Sequence, residues 1–265
     1  MSAALTVASL NTLGVHRPGG ARLAWRYAGI GAGLEASGID VACLQEVLTW
    51  WHLRLLARAM PSFGEVSCRP SLSGPAGGLV TFSRLPVSGT RYRRFGWPPR
   101  TPGLPVRTML QMGIKGALAT SLAEPGLRVI NTHPASNSDG DWSPASRFYP
   151  MHRAQLGVLS HVLRGIAGPA VVCGDFNIDR DSALFGDFVR DTALADAFGG
   201  TCPPTFRAEF LAAGQRPHCI DFILTTPGVT VTGTKLLFAA KEQLRGGPAY
   251  LSDHIGLSAQ LSLAP

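Results

Sequence analysis

The stretch with the clearest chemical potential is 170–179, which reads AVVCGDFNID. Four apolar residues follow a Gly-Pro break and predict a short buried strand that Gly174 ends. Asp175 and Asn177 come next, two residues apart, so an extended backbone would point both side chains to one side of the sheet edge. An acceptor and a donor together at a strand end are typical of an active site. The alternative is an Asp/Asn-rich turn, and this stretch alone does not separate the two.

Other predicted strands end in the same way. Strands are predicted at 5–10, 41–44, 127–131, 220–224 and 255–261, and each carries or adjoins a polar residue. Singly, each has an ordinary explanation, such as a surface carboxylate at a helix start or a structural histidine. Their recurrence in strand after strand favours one shared site. The residues are Asn11, Glu46, His133, Asp175, Asn177, Asp221 and His254, with Asp253 beside the last.

The elements between these strands predict an α/β fold. Apolar spacing predicts helices at 22–37, at 150–164, at 182–194, and from Trp50 to the break at Pro61. We interpret Trp50 and Trp51 as core residues. Residues 67–122 are predicted as β structure broken by turns, with a strand at 111–115, and 201–214 as irregular. No repeat or linker divides the chain, so residues 1–265 are predicted to form one domain.

Composition describes a globular, basic protein. Of 265 residues, 45% are hydrophobic and 15% charged, which supplies a full core and excludes a disordered chain. The net charge is +7, and only Lys115, Lys235 and Lys241 among the 24 basic residues are lysines. Guanidinium groups suit bidentate phosphate contacts. This balance favours an anionic substrate or surface, although a charge excess alone also serves solubility.

One basic segment is interleaved with aromatic residues. We predict that the Arg91–Arg107 loop contacts nucleic acid or the headgroups of a peripheral membrane, with a solvated proline-rich loop as the alternative. Its arginines are Arg91, Arg93, Arg94, Arg100 and Arg107, and its aromatic residues are Tyr92, Phe95 and Trp97.

Cysteines and targeting signals add little. The five cysteines contain no C-x-x-C pair, and Cys43 and Cys173 lie in apolar runs, so a zinc site or a disulfide framework is not expected. The N-terminus lacks a basic segment followed by a long apolar core, and no stretch reaches membrane-spanning length. We expect a cytoplasmic monomer, although an exported protein given without its leader would have the same features.

The ordered polar residues resemble the endonuclease/exonuclease/phosphatase superfamily over nearly the whole chain. Its marks are an early Asn, a Q-E, a T-H, a G-D-x-N, an I-D and a terminal S-D-H. They correspond here to Asn11, Gln45-Glu46, Thr132-His133, 174–177, Ile220-Asp221 and 252–254. The resemblance implies a four-layered α/β sandwich with two central mixed β-sheets flanked by helices. It also implies Mg²⁺-dependent hydrolysis of a phosphate ester, with Mn²⁺ as the alternative metal.

The chemistry explains why these residue types converge. Attack on a phosphodiester needs a cation, hydrogen-bond donors and a base, because negative charge builds on the phosphoryl oxygens. Glu46 is the predicted metal carboxylate, since Mg²⁺ prefers one or two carboxylates with waters. By resemblance, Asn11 supports that metal site, and Asp253 also faces the metal.

The remaining residues are assigned to proton transfer and substrate contacts. His254 is the predicted general base, and Asp221 accepts from its other ring nitrogen and fixes the tautomer. Asp175 and Asn177 are predicted to position the attacking water or the leaving group. His133 is predicted to donate to a phosphoryl oxygen.

Within the superfamily, the chain looks most similar to the sphingomyelinase-type phosphodiesterases. The similar segments are the G-G-L-V-T-F-S-R-L-P run at 77–86, Lys115-Gly116, the H-R-A-Q-L run at 152–156 and 251–254. Unlike those enzymes, it has no clear hydrophobic hairpin; Phe95-Gly96-Trp97 is the one candidate for a membrane-touching tip. A DNA or RNA nuclease of the same superfamily is the alternative, supported by the basic charge. A catalytically silent, basic phosphate- or nucleic-acid-binding module is the alternative from another class.

Overall fold

The structure is a computed structural model that describes residues 3–15, 22–97 and 102–263. We number its strands and helices in chain order. The helices are α1 (Leu23–Glu35), α2 (Trp50–Ala59), α3 (Val106–Met112), α4 (Tyr149–Arg164) and α5 (Ala183–Thr192). The strands are β1 (Ala3–Asn11), β2 (Val41–Gln45), β3 (Glu65–Ser67), β4 (Val80–Ser83), β5 (Val87–Arg94), β6 (Gly116–Leu122), β7 (Arg128–Thr132), β8 (Ala170–Asp175), β9 (Ala195–Asp196), β10 (Asp221–Thr225), β11 (Val229–Leu237), β12 (Glu242–Leu244), β13 (Gly247–Ala249) and β14 (Gly256–Leu263).

Twelve of these strands form two six-stranded sheets. The first has the order β11-β14-β1-β2-β4-β3, and the second has the order β5-β6-β7-β8-β10-β9. Each sheet is mixed, because β1 and β2 pair parallel in the first and β7 and β8 in the second, while the other pairs are antiparallel. Helices cover the outer faces, so the predicted four-layered α/β sandwich is confirmed.

Alternation along the strands builds the layers. In β2, Val41 and Cys43 belong to the core cluster shared with the second sheet, whereas Ala42 and Leu44 pack with residues of α1 and α2. On the outer side of the second sheet, Phe222 of β10 stacks on Phe185 of α5 with ring centroids 4.1 Å apart. The central strands are therefore buried on both faces, which explains why their sequences are continuous apolar runs.

Strand register brings the polar strand ends together. Parallel pairing aligns Asn11 with Gln45 and Thr132 with Gly174, so four strands end at the same edge. Antiparallel pairing brings the start of β10 to that edge, with Asp221 opposite Asp175. The two sheets consequently present polar residues at one end of the sandwich.

Two local predictions are wrong. Residues 111–115 are not a strand, because α3 spans Val106–Met112 and β6 begins only at Gly116. Helix-favouring Met, Leu and Gln follow Pro105, which precedes the first helical residue. The predicted burial of both tryptophans also fails, since Trp51 is 50% exposed and Trp50 is half-buried. Helix α2 instead buries His52 and Leu56, one helical turn apart.

Other predictions are confirmed or fall outside the described residues. Residues 201–214 are irregular apart from a 3₁₀ turn at Ala208–Phe210. Cys43 and Cys173 are buried and free. Residues 98–101 of the predicted basic loop, including Arg100, lie outside the described residues. None of the described helices has an apolar stretch long enough to cross a membrane.

Candidate active site

A pocket of about 730 Å³ opens at the end of the sandwich where the polar strand ends meet. Every predicted site residue except Asp221 lines this pocket. Asp221 lies behind His254 and contacts its ring. The structure therefore brings all the residues chosen from the sequence to one place, from both sheets. The lining members are Asn11, Glu46, His133, Asp175, Asn177, Asp253 and His254.

The Asp175 carboxylate is the centre of this arrangement. Asn11 Nδ2 donates to its Oδ2 at 2.9 Å. The same oxygen lies 3.3 Å from His133 Nε2 and 3.7 Å from His254 Nε2. Burial raises the pKa of Asp175, but the positive charges of His254 and His133 and the Asn11 hydrogen bond hold it well below its usual range. Asp175 is therefore an ionised carboxylate shared by groups from three separate elements.

His254 and Asp221 form a buried pair. His254 Nδ1 lies 2.8 Å from Asp221 Oδ2, which leaves Nε2 directed toward Asp175. Phe206 packs edge-on against the imidazole, with ring centroids 5.0 Å apart. Burial lowers the pKa of His254, but Asp221 and Asp175 raise it to about 10. This geometry orients the ring for proton transfer at Nε2, as a base with a fixed tautomer requires.

Glu46 sits immediately after β2 with a left-handed backbone, at φ 61°. Its Oε2 accepts the Gly14 N–H at 3.0 Å, and Tyr27 Oη donates to its carbonyl at 3.1 Å. Gly14 is required here, because a Cβ would lie 2.1 Å from the Glu46 carbonyl oxygen. Burial raises the pKa of Glu46. The positive charges of His133 and Lys115 lower it by more, so the pKa lies below its usual value. The loop contacts thus hold an ionised carboxylate at the pocket wall.

Lys115 is a pocket residue that sequence reasoning noted only as part of a resemblance. Its buried ammonium lies 2.7 Å from the ring nitrogens of His133. Burial and this positive charge lower the pKa of His133, more than Asp175 raises it. The His133 ring therefore lies between the Lys115 ammonium and the Asp175 carboxylate. A lysine at the start of a strand in a lysine-poor chain was the available signal.

Asn177 lies in the pocket, but its backbone is not extended as the sequence argument assumed. It adopts φ 53°, and its N–H donates to Asp175 Oδ1 at 2.9 Å. Its carboxamide donates to the Pro134 carbonyl at 3.1 Å, and Trp142 Nε1 donates to its carbonyl at 2.9 Å. The sequence left open whether Asp175 and Asn177 form a turn or a site. Both are correct, because the turn at Asn177 holds the Asp175 carboxylate in the pocket.

Two buried arginines, which the sequence did not single out, hold the loop that carries His254. Arg26 Nη1 donates to the carbonyls of Leu251, at 2.8 Å, and Thr12, at 3.0 Å. Arg207 Nε donates to the Ser252 carbonyl at 3.0 Å, and the Arg207 N–H donates to the Asp253 carbonyl at 2.9 Å. Their guanidinium groups satisfy loop carbonyls that would otherwise be buried without partners.

A second unforeseen feature joins the two sheets beneath the pocket. Gln45 Nε2 donates to Asn131 Oδ1 at 2.8 Å. Asn131 Nδ2 donates to the carbonyls of Leu44 and Val80 at 3.0 and 2.9 Å. Because β2 and β4 belong to one sheet and β7 to the other, this buried network fixes the two halves of the site relative to each other.

The donor set fits a hard divalent cation. Glu46, Asp175 and Asp253 bring three carboxyl groups to one pocket, and the lowered pKa values keep the first two ionised. Oxygen donors of this kind are what Mg²⁺ and Mn²⁺ take. Within the described part of the chain, Asp175, Asp221 and His254 also place ligand atoms within 4.8 Å of one another. In that group Asp221 Oδ2 pairs with His254 Nδ1, whereas Asp221 Oδ1 is buried without a hydrogen-bond partner.

The fold is similar to solved structures of several kinds of protein. Sphingomyelinase C from Streptomyces griseocarneus matches at 19% identity and a TM-score of 0.72, over 97% of this chain and 99% of that one. D. rerio TDP2 complexed with a single-strand DNA product matches at 19% identity and a TM-score of 0.72, over 97% and 98%. An endonuclease/exonuclease/phosphatase from Beutenbergia cavernae matches at 22% identity and a TM-score of 0.67, over 98% and 72%.

The sequence itself identifies the family. No curated protein matches the chain. Residues 8–254 match the Endonuclease/Exonuclease/phosphatase family, and this range includes every predicted site residue from Asn11 to His254. The protein therefore belongs to the endonuclease/exonuclease/phosphatase family.

Proposed function

We propose that this protein is a divalent-metal-dependent phosphodiesterase that cleaves a phosphate ester by attack of water. Members of its family are phosphoesterase hydrolases. The observation that carries the proposal is the His254–Asp221 pair, 2.8 Å apart, with its free Nε2 directed into a pocket that also contains Asp175 and Glu46. A base with a fixed tautomer beside oxygen ligands for a cation is what hydrolysis of a phosphodiester requires.

His254 takes the proton of the attacking water at Nε2, because Nδ1 is occupied by Asp221. The water oxygen then forms a bond to phosphorus, the opposite P–O bond breaks, and the leaving oxygen departs with that electron pair. Asp221 stabilises the imidazolium that results. The pKa of His254 is raised to about 10 by its two carboxylate neighbours, so positive charge elsewhere in the pocket is needed to free the base.

The other site residues orient the reactants. Asp175 holds the water or the leaving oxygen between His133 and His254, and the turn at Asn177 holds Asp175. His133 and Lys115 stand where they can donate to a phosphoryl oxygen. A divalent cation bound by Glu46, with Asn11 and Asp253 beside it, would stabilise negative charge on the phosphoryl oxygens. We propose Mg²⁺, with Mn²⁺ as the alternative.

A lipid phosphodiester is the substrate we favour. The polar strand ends form the floor of the pocket, and its lining also includes Phe206, Phe210 and Leu211. These apolar side chains suit a substrate with an apolar portion beside its phosphate. The similarity to sphingomyelinase C supports this substrate class.

Nucleic acid is the second candidate. The net charge of +7 and the exposed arginines of β5 favour a polyanion, and the similarity to TDP2 with bound DNA product supports it equally in fold. A silent binding module is the alternative from another class. Cytoplasmic location and a monomeric state stay predictions.

The test is hydrolysis by the purified protein of bis-p-nitrophenyl phosphate, sphingomyelin vesicles, plasmid DNA and single-stranded RNA, with Mg²⁺ and with EDTA. We expect metal-dependent cleavage of the first two substrates and its loss in His254→Ala. His161→Ala, an exposed histidine on α4, is the matched control. Cleavage of nucleic acid alone would move the protein to the nuclease class, and inactivity on the whole panel would contradict the enzymatic proposal.

A further inference from the structure

Helix α3 presents an apolar face to solvent. Val106 is 67% exposed, Met109 38%, Leu110 65% and the following Ile114 53%. Met109 and Leu110 follow Val106 by three and four residues, so these three lie on one side of the helix, and Ile114 comes just after its end. Surface apolar residues are ordinary when scattered, but a contiguous set on one helix marks an interaction surface.

The opposite side of the same segment is anchored in the protein. Leu104 and Met112 belong to a buried cluster with Ala135, Phe148 and Met151. Ser136 Oγ also donates to Gln111 Oε1 at 3.0 Å, and Gln111 lines the pocket. The other side of the segment is therefore packed against the protein, which holds the exposed face in a defined position beside the pocket mouth.

Trp97 extends this surface. It is 69% exposed, and its indole lies against the end of α3, where a Cβ on Gly113 would approach its ring to 2.8 Å. The neighbouring strand β5 exposes Arg91, Arg93 and Arg94. We define the docking face as Trp97, Val106, Met109, Leu110 and Ile114, and we call the three arginines of β5 the adjoining basic strand.

The segment that carries the docking face has charges of one sign. No Asp or Glu occurs in the sequence between Glu65 and Glu124, a segment that contains all of β4, β5, α3 and β6. A second copy of the chain would bring the same positive charge to this face, so self-association is disfavoured. Nucleic acid would pair with the arginines but would gain little from four exposed aliphatic side chains, because bases are recognised by stacking and hydrogen bonding.

We propose that the docking face binds the surface of an anionic phospholipid bilayer. The aliphatic residues and the indole enter the interface, while the arginines contact lipid phosphates. Lys115 follows the face directly in the chain and lines the pocket, so docking brings the pocket mouth to the membrane. Membrane binding by the docking face does not depend on catalysis. Its role in bringing substrate to the pocket rests on the proposed function.

Vesicle cosedimentation tests the proposal. The probes are phosphatidylcholine vesicles with and without phosphatidylserine, and the key variant is V106S/L110S. We expect the wild type to bind the anionic vesicles, with the double variant weakened by about tenfold in affinity. L72S/L236S is the matched control, since it removes two exposed leucines outside the face and should bind like the wild type. R93Q/R94Q should weaken binding to anionic vesicles and reduce its sensitivity to salt.

Two further measurements separate this proposal from the proposed function. His254→Ala should bind vesicles like the wild type, so loss of turnover leaves the docking result readable. V106S/L110S should hydrolyse soluble bis-p-nitrophenyl phosphate at the wild-type rate, which shows that it is folded. The proposal is overturned if the wild type does not bind anionic vesicles or if V106S/L110S binds them equally well. Self-association of the wild type that V106S/L110S abolishes would also overturn it and assign the face to a second copy.

Discussion

In globular proteins polar residues usually face water and apolar residues are usually buried. The pocket floor departs from this rule by burying polar groups, and the docking face departs from it by exposing apolar ones. The floor buries polar and charged groups, among them Asp175, Asp221 and His254, each less than 5% exposed. The docking face leaves Leu110 and Trp97 largely exposed to water. Both arrangements oppose folding, since buried charges lose hydration and exposed apolar side chains gain nothing. We infer from both arrangements that this end of the molecule carries two functional surfaces.

The two regions are also built differently. The floor is assembled from residues far apart in sequence, and each polar group is fastened by others, as Asn11 and Asn177 fasten Asp175. The docking face comes mainly from one short helix, and its side chains contact mostly water. Changes at the floor should therefore alter chemistry without altering docking, and changes at the face should do the reverse.

The largest effect is expected from Asp221→Asn. The amide removes the charge that stabilises the His254 imidazolium and weakens control of its tautomer, so kcat should fall by about 10³-fold. Turnover of bis-p-nitrophenyl phosphate measures this loss, and Asp187→Asn, an exposed residue on α5, is the control. Vesicle binding should not change. A kcat near the wild-type value would show that His254 acts without Asp221.

The next largest effect is expected from metal removal, which tests whether Glu46 binds the cation. If Glu46 binds the cation, saturating Mg²⁺ stabilises the folded protein by about 2.7 kcal/mol at a concentration of 100 Kd. Glu46→Gln should abolish the rise in Tm on adding Mg²⁺, whereas Glu65→Gln on the exposed strand β3 should keep it. An unchanged rise in Glu46→Gln would move the cation to the Asp175, Asp221 and His254 group.

Low pH should lower the free energy of unfolding, because it protonates a buried histidine beneath the pocket. His152 on α4 donates from Nε2 to the Ala135 carbonyl at 2.8 Å, and burial lowers its pKa to about 4. The unfolded chain, with a histidine pKa of about 6.5, binds the proton first, so this stability is present above pH ~6.5 and is lost as the pH falls toward 4. At pH ~4.5 the loss is about 2.5 kcal/mol.

Urea unfolding at neutral and acidic pH measures that loss. His152→Gln should remove this part of the pH dependence, because glutamine does not titrate. His161→Ala, on the exposed side of the same helix, should retain it. Equal pH dependence in wild type and His152→Gln would mean that other groups destabilise the protein in acid.

The smallest effect is expected at Trp51, which is exposed but lies outside the docking face. Trp51→Ser should change the free energy of unfolding by within about 0.5 kcal/mol and leave vesicle binding intact. Leu56→Ala, on the buried side of α2, should cost about 2–5 kcal/mol. Lost vesicle binding in Trp51→Ser would show that the docking face extends to α2.

Sequence reasoning succeeded where patterns are local. Apolar runs that end in polar residues located β1, β2, β7, β8 and β10, because a strand buried on both faces is continuous in sequence. It failed at 111–115, since a short run such as Met-Leu-Gln-Met suits a strand or a helix equally. The exposure of α3 was not predicted either, because apolar residues in a globular protein usually face the core.

The residue types and their order along the chain, read as family motifs, determined the fold and the membership of the pocket floor. Only the tertiary structure decided their partners. Asn11 and Asp175 are 164 positions apart, and Ser252, which donates to the Asn11 carbonyl at 2.5 Å, is 241 positions from it. Contacts of this separation depend on strand order and on the packing of two sheets. Which lysine approaches His133, which arginines hold the His254 loop, and which helix face meets solvent were therefore decided by the folded chain.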